Sequence, residues 1–191
     1  DLSIEAPDAV PPLLERHLEL RRYREVPDLD EAELARLLVL AERDVRRLLG
    51  TQGFFNPRIE LATQVGTRPP RVSLRVEPGE PARVRDLDIQ FEGDIATTDD
   101  AGAHAQRASI REGWGLRPGM RFTQEDWDAA KSAAARALVA RRYPRGRIAG
   151  SGADIDAQAG TAHLGLRLDS GPLFRLGPLQ VTGVQRYDAR L

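Results

Sequence analysis

The chain has 191 residues, enough for one or two ordinary domains. Its 28 Lys+Arg stand against 29 Asp+Glu, a formal net charge of −1, with 41% hydrophobic and 30% charged residues, the balance of a globular protein. There is no run of 18 or more apolar residues, which a helix crossing a bilayer needs, and no cysteine, which excludes disulfides, thiolate metal sites and cysteine nucleophiles. The charge is close to even in both halves, which argues against a nucleic-acid binder. Lys131 is the only lysine, and the arginine excess reads as coding bias, not phosphate recognition. The chain begins at Asp1 without a basic or apolar leader pattern, so either a targeting segment has been removed or the chain is a cut piece.

In chain order, Leu2, Ile4 and Ala6 alternate as a short strand. After Asp8, Pro11-Pro12 fit a helix's first turn, and Val10, Leu13, Leu14, His17 and Leu18 carry that helix to about Arg22. Pro27 breaks the pattern, and Asp30 to Glu33 resembles a capping box. Leu34, Leu37, Leu38, Ala41, Val45, Leu48 and Leu49 then form one apolar stripe, stopped by Gly50 and Gly53. Two alternating strands follow, Arg58–Val65 and Arg71–Val76, with a turn at Gly66–Pro70. This first unit reads β-α-α-β-β and ends at Pro78-Gly79-Glu80-Pro81.

The order then recurs. Leu87, Ile89 and Phe91 form a strand, and Asp99-Asp100 can cap a poorly patterned helix over about 100–112. Leu116–Gly119 is a loop, and Thr123–Asp126 opens a helix with Trp127, Ala130, Ala134, Ala137 and Leu138 facing in. Ile148–Ile155 reads as a weaker strand interrupted by Gly150 and Gly152, Ala162–Leu168 as a clean one. Phe174 to Val181 begins a further strand. At an offset of 90, Ile89, Gln90, Phe91 and Gly93 meet Leu179, Gln180, Val181 and Gly183 without a gap. At an offset of 89, Phe54 and Ile59 meet Tyr143 and Ile148. The expected organisation is a first repeat over 1–80, a second over 81–171, and the first strand of a truncated third over 172–191.

Three features carry a family resemblance: the repeat order, the aromatic exit Gly53-Phe54-Phe55, and the junction Ser170-Gly171-Pro172-Leu173-Phe174-Arg175-Leu176-Gly177-Pro178-Leu179-Gln180-Val181-Thr182-Gly183. These resemble POTRA repeats, the polypeptide-transport-associated modules that stand before outer-membrane assembly barrels in the periplasm. Leu116-Arg117-Pro118-Gly119-Met120-Arg121-Phe122-Thr123 resembles the family's P-G-x-x-F-[ST] loop. The second repeat departs from the pattern in reading Arg141-Arg142-Tyr143-Pro144, without glycine before its aromatic. Within the superfamily the chain looks most like the TamA type. The resemblance implies an α+β fold of tandem β-α-α-β-β repeats, each a three-stranded mixed sheet covered on one face by two helices. It also implies a periplasmic location at the outer membrane, unfolded or nascent outer-membrane and secreted polypeptides as clients, a TamB-like accessory protein, and the chain's own C-terminal β-barrel beyond residue 191. BamA-type, two-partner secretion and cell-division proteins are alternatives of the same fold; a hydrolase or ligand-binding domain is the alternative of another class.

Side-chain chemistry offers little competition. His17, His104 and His163 are scattered, so no metal site is expected, and no nucleophile elbow, triad or P-loop appears. The chain is therefore read as not an enzyme, without cofactor. Asp99-Asp100 and Glu125-Asp126 fall at helix starts, where free amides favour them. Phe54, Tyr143 and Trp127 read as core, while Trp114, flanked by glycines, is equally a candidate partner contact. The resemblance places the second strand of each repeat at a sheet edge, which makes Arg58, Ile59, Glu60, Leu61, Thr63 and Val65, with Arg147 and Ile148, candidates for pairing with an extended partner. Charged Arg58 and Glu60 read equally as ordinary edge protection. Gly79 and Pro81, and Gly171 and Pro172, form short junctions expected to bend only within limits.

Overall fold

Alternating apolar residues require one buried face, and the fold supplies it twice. The computed structural model describes residues 2–7, 10–18, 20, 31–64, 71–175 and 177. In the first sheet β1 (Leu2–Glu5) pairs parallel with β3 (Arg71–Glu77), and β2 (Arg58–Gln64) pairs antiparallel with β3 on the other side, giving the order β1-β3-β2. Helices α1 (Pro11–His17) and α2 (Glu31–Thr51) form the crossover that two parallel strands require. In the second sheet β4 (Arg83–Glu92) pairs parallel with β6 (Thr161–Asp169), and β5 (Arg147–Asp156) antiparallel with β6, in the order β4-β6-β5. Helices α3 (Asp94–Thr97), α4 (Ala101–Glu112) and α5 (Gln124–Val139) lie between them in the chain. The fold is α+β, with mixed three-stranded sheets.

Each sheet has its own core. Leu74 and Val76 of β3 are buried with Val10 just before α1, Leu14 of α1, and Ala41, Val45, Leu48 and Leu49 of α2, while Arg71, Ser73, Arg75 and Glu77 face water. Leu164, Leu166 and Leu168 of β6 meet Trp127, Ala130, Ala134 and Leu138 of α5. Each such large apolar side chain contributes about 1.5–3 kcal/mol when fully buried.

Local chemistry sets the element ends. Asp100 caps α4 by accepting from the Ala103 amide, and Thr123 caps α5 by accepting from the Asp126 amide. Helix α2 closes with paired reverse bonds: the Phe54 amide donates to the Leu49 carbonyl and the Gly53 amide to Gly50. Gly53 is the residue with positive φ, at 87°, so Gly53 ends the helix and Gly50 lies within it, contrary to expectation. Helix α1 ends at His17, short of Arg22, because Leu18 turns extended. The expected cap at Asp30 and the turn at 66–70 lie outside the described residues, as does most of the expected strand from Phe174. Residues 173–175 form no strand.

Two further differences concern the second unit. The four-residue helix α3 has no counterpart in the sequence reading; it starts after Gly93, whose φ is 76°. Strand β5 is continuous through Gly150 and Gly152, with a bulge between Ile148 and Gly150. The Arg167 guanidinium comes within 2.9 Å of where a Cβ on Gly150 would stand, so a neighbouring side chain lies over the backbone that glycine leaves bare.

Candidate functional site

The candidate site is backbone, and the sheet order decides where it is open. Strands β2 and β5 each pair with one neighbouring strand, and no strand pairs with the other flank of either among the described residues. The same order leaves β1 and β4 outermost on the opposite flanks, although β4 is partly covered through a bridge between Arg83 and Arg121.

Along β2, Ile59, Leu61 and Thr63 are half-buried towards the first core, and Arg58, Glu60, Ala62 and Gln64 are exposed. Ile59 faces Val76, Leu61 faces Leu74 and Thr63 faces Val72, so the strand is held in one register by apolar pairs. Glu60 stands opposite Arg75, and Arg58 approaches Glu77 at 3.9 Å. Arg46 of α2 donates to the Pro57 carbonyl at 3.2 Å, pinning the start of the strand. Val65 lies outside the described residues.

On β5, Arg147 donates to Asp169 at 2.7 Å, and Ile148, opposite Leu168, is exposed at the rim. The strand turns into β6 at Asp156, whose carboxylate accepts from the amides of Gln158 and Ala159 at 2.9 Å. Those two bonds, Ala159's first, hold its pKa below the usual carboxylate range.

Trp114 does not belong to this surface. It is 3% exposed, its indole N–H donates to the Leu116 carbonyl at 2.8 Å, and it packs edge-on against Trp127 at 5.7 Å. The ring is therefore part of the second core, with its N–H paired to a carbonyl of its own loop. Phe54 packs against the first core, and Tyr143 and Trp127 are buried in the second.

At the junctions, Gly79 and Gly171 have φ of 74° and 59°, left-handed values that suit glycine. Pro81 is half-buried and Pro172 exposed. The segment around Gly171 is tied to the second unit: the Asp94 amide donates to the Gly171 carbonyl, and the Leu173 amide to the Asp94 carboxylate at 2.7 Å. Nearby, Arg142 donates twice to Asp100, at 2.6 and 2.8 Å. That pair, reinforced by the Ala103 amide, holds the Asp100 carboxyl well below its ordinary pKa. The sequence reading missed this pair, and its 42-residue separation leaves no local signal.

The three histidines stand apart in role. His17 is exposed at the end of α1; His104 meets Asp99 at 2.6 Å, and His163 meets Asp86 at 2.9 Å. No helix among the described residues is long and apolar enough to cross a membrane.

No family model matches the chain, and no curated protein matches it. Among solved structures, it is similar to POTRA domains 3–5 of BamA from Haemophilus influenzae, at 16% identity and a TM-score of 0.44, over 90% of this chain and 65% of that one. It is similar to POTRA domains 1–3 of the periplasmic domain of Omp85 from Anabaena, at 15% identity and a TM-score of 0.40, over 90% of this chain and 65% of that one. It also matches POTRA domains 1–2 of the Anabaena protein at 12% identity and a TM-score of 0.43, over 90% and 94% of the two chains. The chain spans just under two thirds of the length of the first two.

Proposed function

We propose that the chain is a non-enzymatic periplasmic scaffold of an outer-membrane assembly or translocation factor of TamA or BamA type. Its repeats span residues 1–80 and 81–171, with 172–191 opening a third. It holds unfolded or nascent outer-membrane and secreted polypeptides by adding them as an extra strand to a sheet edge. A TamB-like accessory protein and the factor's own C-terminal barrel complete the assembly.

The observation that carries this reading is strand β2. Its residues Arg58–Gln64 are held in register by β3 on one side, and no strand pairs with the other side among the described residues. An incoming extended chain satisfies such backbone groups whatever its sequence, which suits a module that meets many clients. The charged, water-facing Arg58 and Glu60 discourage self-pairing while leaving the backbone accessible.

The test is photocrosslinking from Arg58 and Glu60 in the intact protein, with Arg136 on the exposed side of α5 as the control position. The reading expects crosslinks to extended client polypeptides from the β2 positions and none from Arg136. Equal capture from all three positions, or none from β2, overturns it.

A further inference from the structure

The loop that resembles the family's P-G-x-x-F-[ST] motif does not stay on its own unit. The Gly119 amide donates to the Val84 carbonyl at 2.7 Å, the Val84 amide to Met120 at 2.9 Å, and the Phe122 amide to Ala82 at 2.8 Å. The loop is thereby zipped along the stretch that enters β4. That stretch is fastened in turn to the first unit, because the Ala82 amide donates to the Gly53 carbonyl at 2.8 Å.

Side chains add a second set of ties. Arg121 donates through Nε and Nη2 to the Gln52 carbonyl, at the end of α2, and its guanidinium lies 4.6 Å over the Phe54 ring. Phe54 packs against the first core and Phe55 against the second, where it meets Phe122 at 5.9 Å. Neighbouring residues of one aromatic pair thus serve different cores. Gly53 is the seat of this closure: a Cβ there would stand 2.2 Å from the Phe122 carbonyl oxygen, and the residue's φ is 87°.

The second exit begins in the same manner. The Phe174 amide donates to the Arg142 carbonyl at 3.0 Å, as Ala82 does to Gly53, and Arg142 precedes Tyr143 as Gly53 precedes Phe54. Arg142 has a side chain, committed to Asp100, where the first exit has none. Phe174 is 46% exposed, whereas Ala82 is buried.

We propose that residues 117–122 are a strap that locks the first two units together, so that they move as one rigid body and unfold in one transition. Glycine at position 53 and arginine at 121 are the residues that let the strap close. This assignment is independent of any client.

The chain has no cysteine, so Ala62→Cys on β2 and Asp154→Cys on β5 accept spin labels cleanly. The strap predicts one narrow distance distribution between them. Arg121→Ala broadens it, and amide exchange at Ala82 and Phe122 rises roughly ten-fold, the loss of a charge-assisted bond. The near-UV signal of Trp114 and Trp127 stays unchanged, because the second core is untouched. Gly53→Ala splits the single unfolding transition in two. Should Gly53→Ala fail to fold, Arg121→Ala still decides, since its side chain enters neither core. A broad distribution in the unsubstituted chain, or a narrow distribution with unchanged exchange in Arg121→Ala, overturns the proposal.

Discussion

Tyr143→Phe is expected to stabilise the protein. Tyr143 is fully buried in the second core, and its hydroxyl has no hydrogen-bond partner among the described residues. A buried hydroxyl without a partner costs about 1–3 kcal/mol, whereas the ring's apolar packing is common to both residues. The first unit carries phenylalanine at the corresponding place, Phe54. Discounting for the small void left behind, the gain is about 1–2 kcal/mol, or roughly 2–8 °C in Tm for a chain of this size. Both tryptophans, Trp114 and Trp127, sit in the same core, so thermal unfolding followed by their fluorescence reads the substitution directly. Burial also raises the tyrosine's pKa, with nearby Arg142 opposing. The unfolded chain therefore releases this proton first, near pH 10, and stability present below that pH is lost as the pH rises above it. The substitution removes that alkaline loss. A lower Tm in Tyr143→Phe, or an alkaline limb identical to that of the parent, would refute the reasoning, because either would mean the hydroxyl is paired or wet.

Three further substitutions test other links. Phe55→Ala, although in the first unit's exit, should destabilise the second core by about 2 kcal/mol, less than the roughly 3–5 kcal/mol of a fully buried phenylalanine. Tryptophan fluorescence should report it as an earlier urea midpoint, and an unmoved midpoint would remove Phe55 from that core. Asp100 has a lowered pKa in the folded state, so its pairing stabilises above the unfolded carboxyl's value and the benefit is lost as pH falls through about 4 and below. Arg142→Ala should flatten the acid limb of the stability curve; superimposable limbs would show that the pair has no energetic role. Gly152→Thr should raise Tm, because a Cβ there meets nothing within 4 Å and the residue lies within a strand. The gain expected from restricting the unfolded chain is about 0.4–1 kcal/mol, and a fall in Tm would place an unseen neighbour at that site.

Periodicity was the readable part of this sequence. The alternation of Val72, Leu74 and Val76, and of Ala162, Leu164, Leu166 and Leu168, becomes the buried face of each sheet's central strand. The stripe Leu37, Ala41, Val45, Leu48 and Leu49 becomes the inner face of α2. Glycine was the unreliable part. Gly50 lies within a helix and Gly152 within a strand, because a local preference of about 1 kcal/mol yields to tertiary pairing. The glycines beside Trp114 marked a turn but could not show which way the ring points; that depends on Trp127, in another element. Arg121 and Gln52, 69 residues apart, left no local trace at all.

The strap and the open edges bear on one another through entropy. Adding a strand to an edge orders the incoming chain, and only the surplus over that cost appears as affinity. An edge on a body that also tumbles would lose more freedom on binding than one already fixed. With β2 and β5 on units fastened through Gly53, Phe55, Arg121 and Phe122, neither edge would need to be ordered for the proposed strand addition. If both the strap and the edge assignment hold, Arg121→Ala should therefore weaken client capture at Arg58 and Glu60 although neither position touches Arg121. Unchanged capture with a broadened label distribution would separate the two ideas, leaving the strap in place and detaching it from binding.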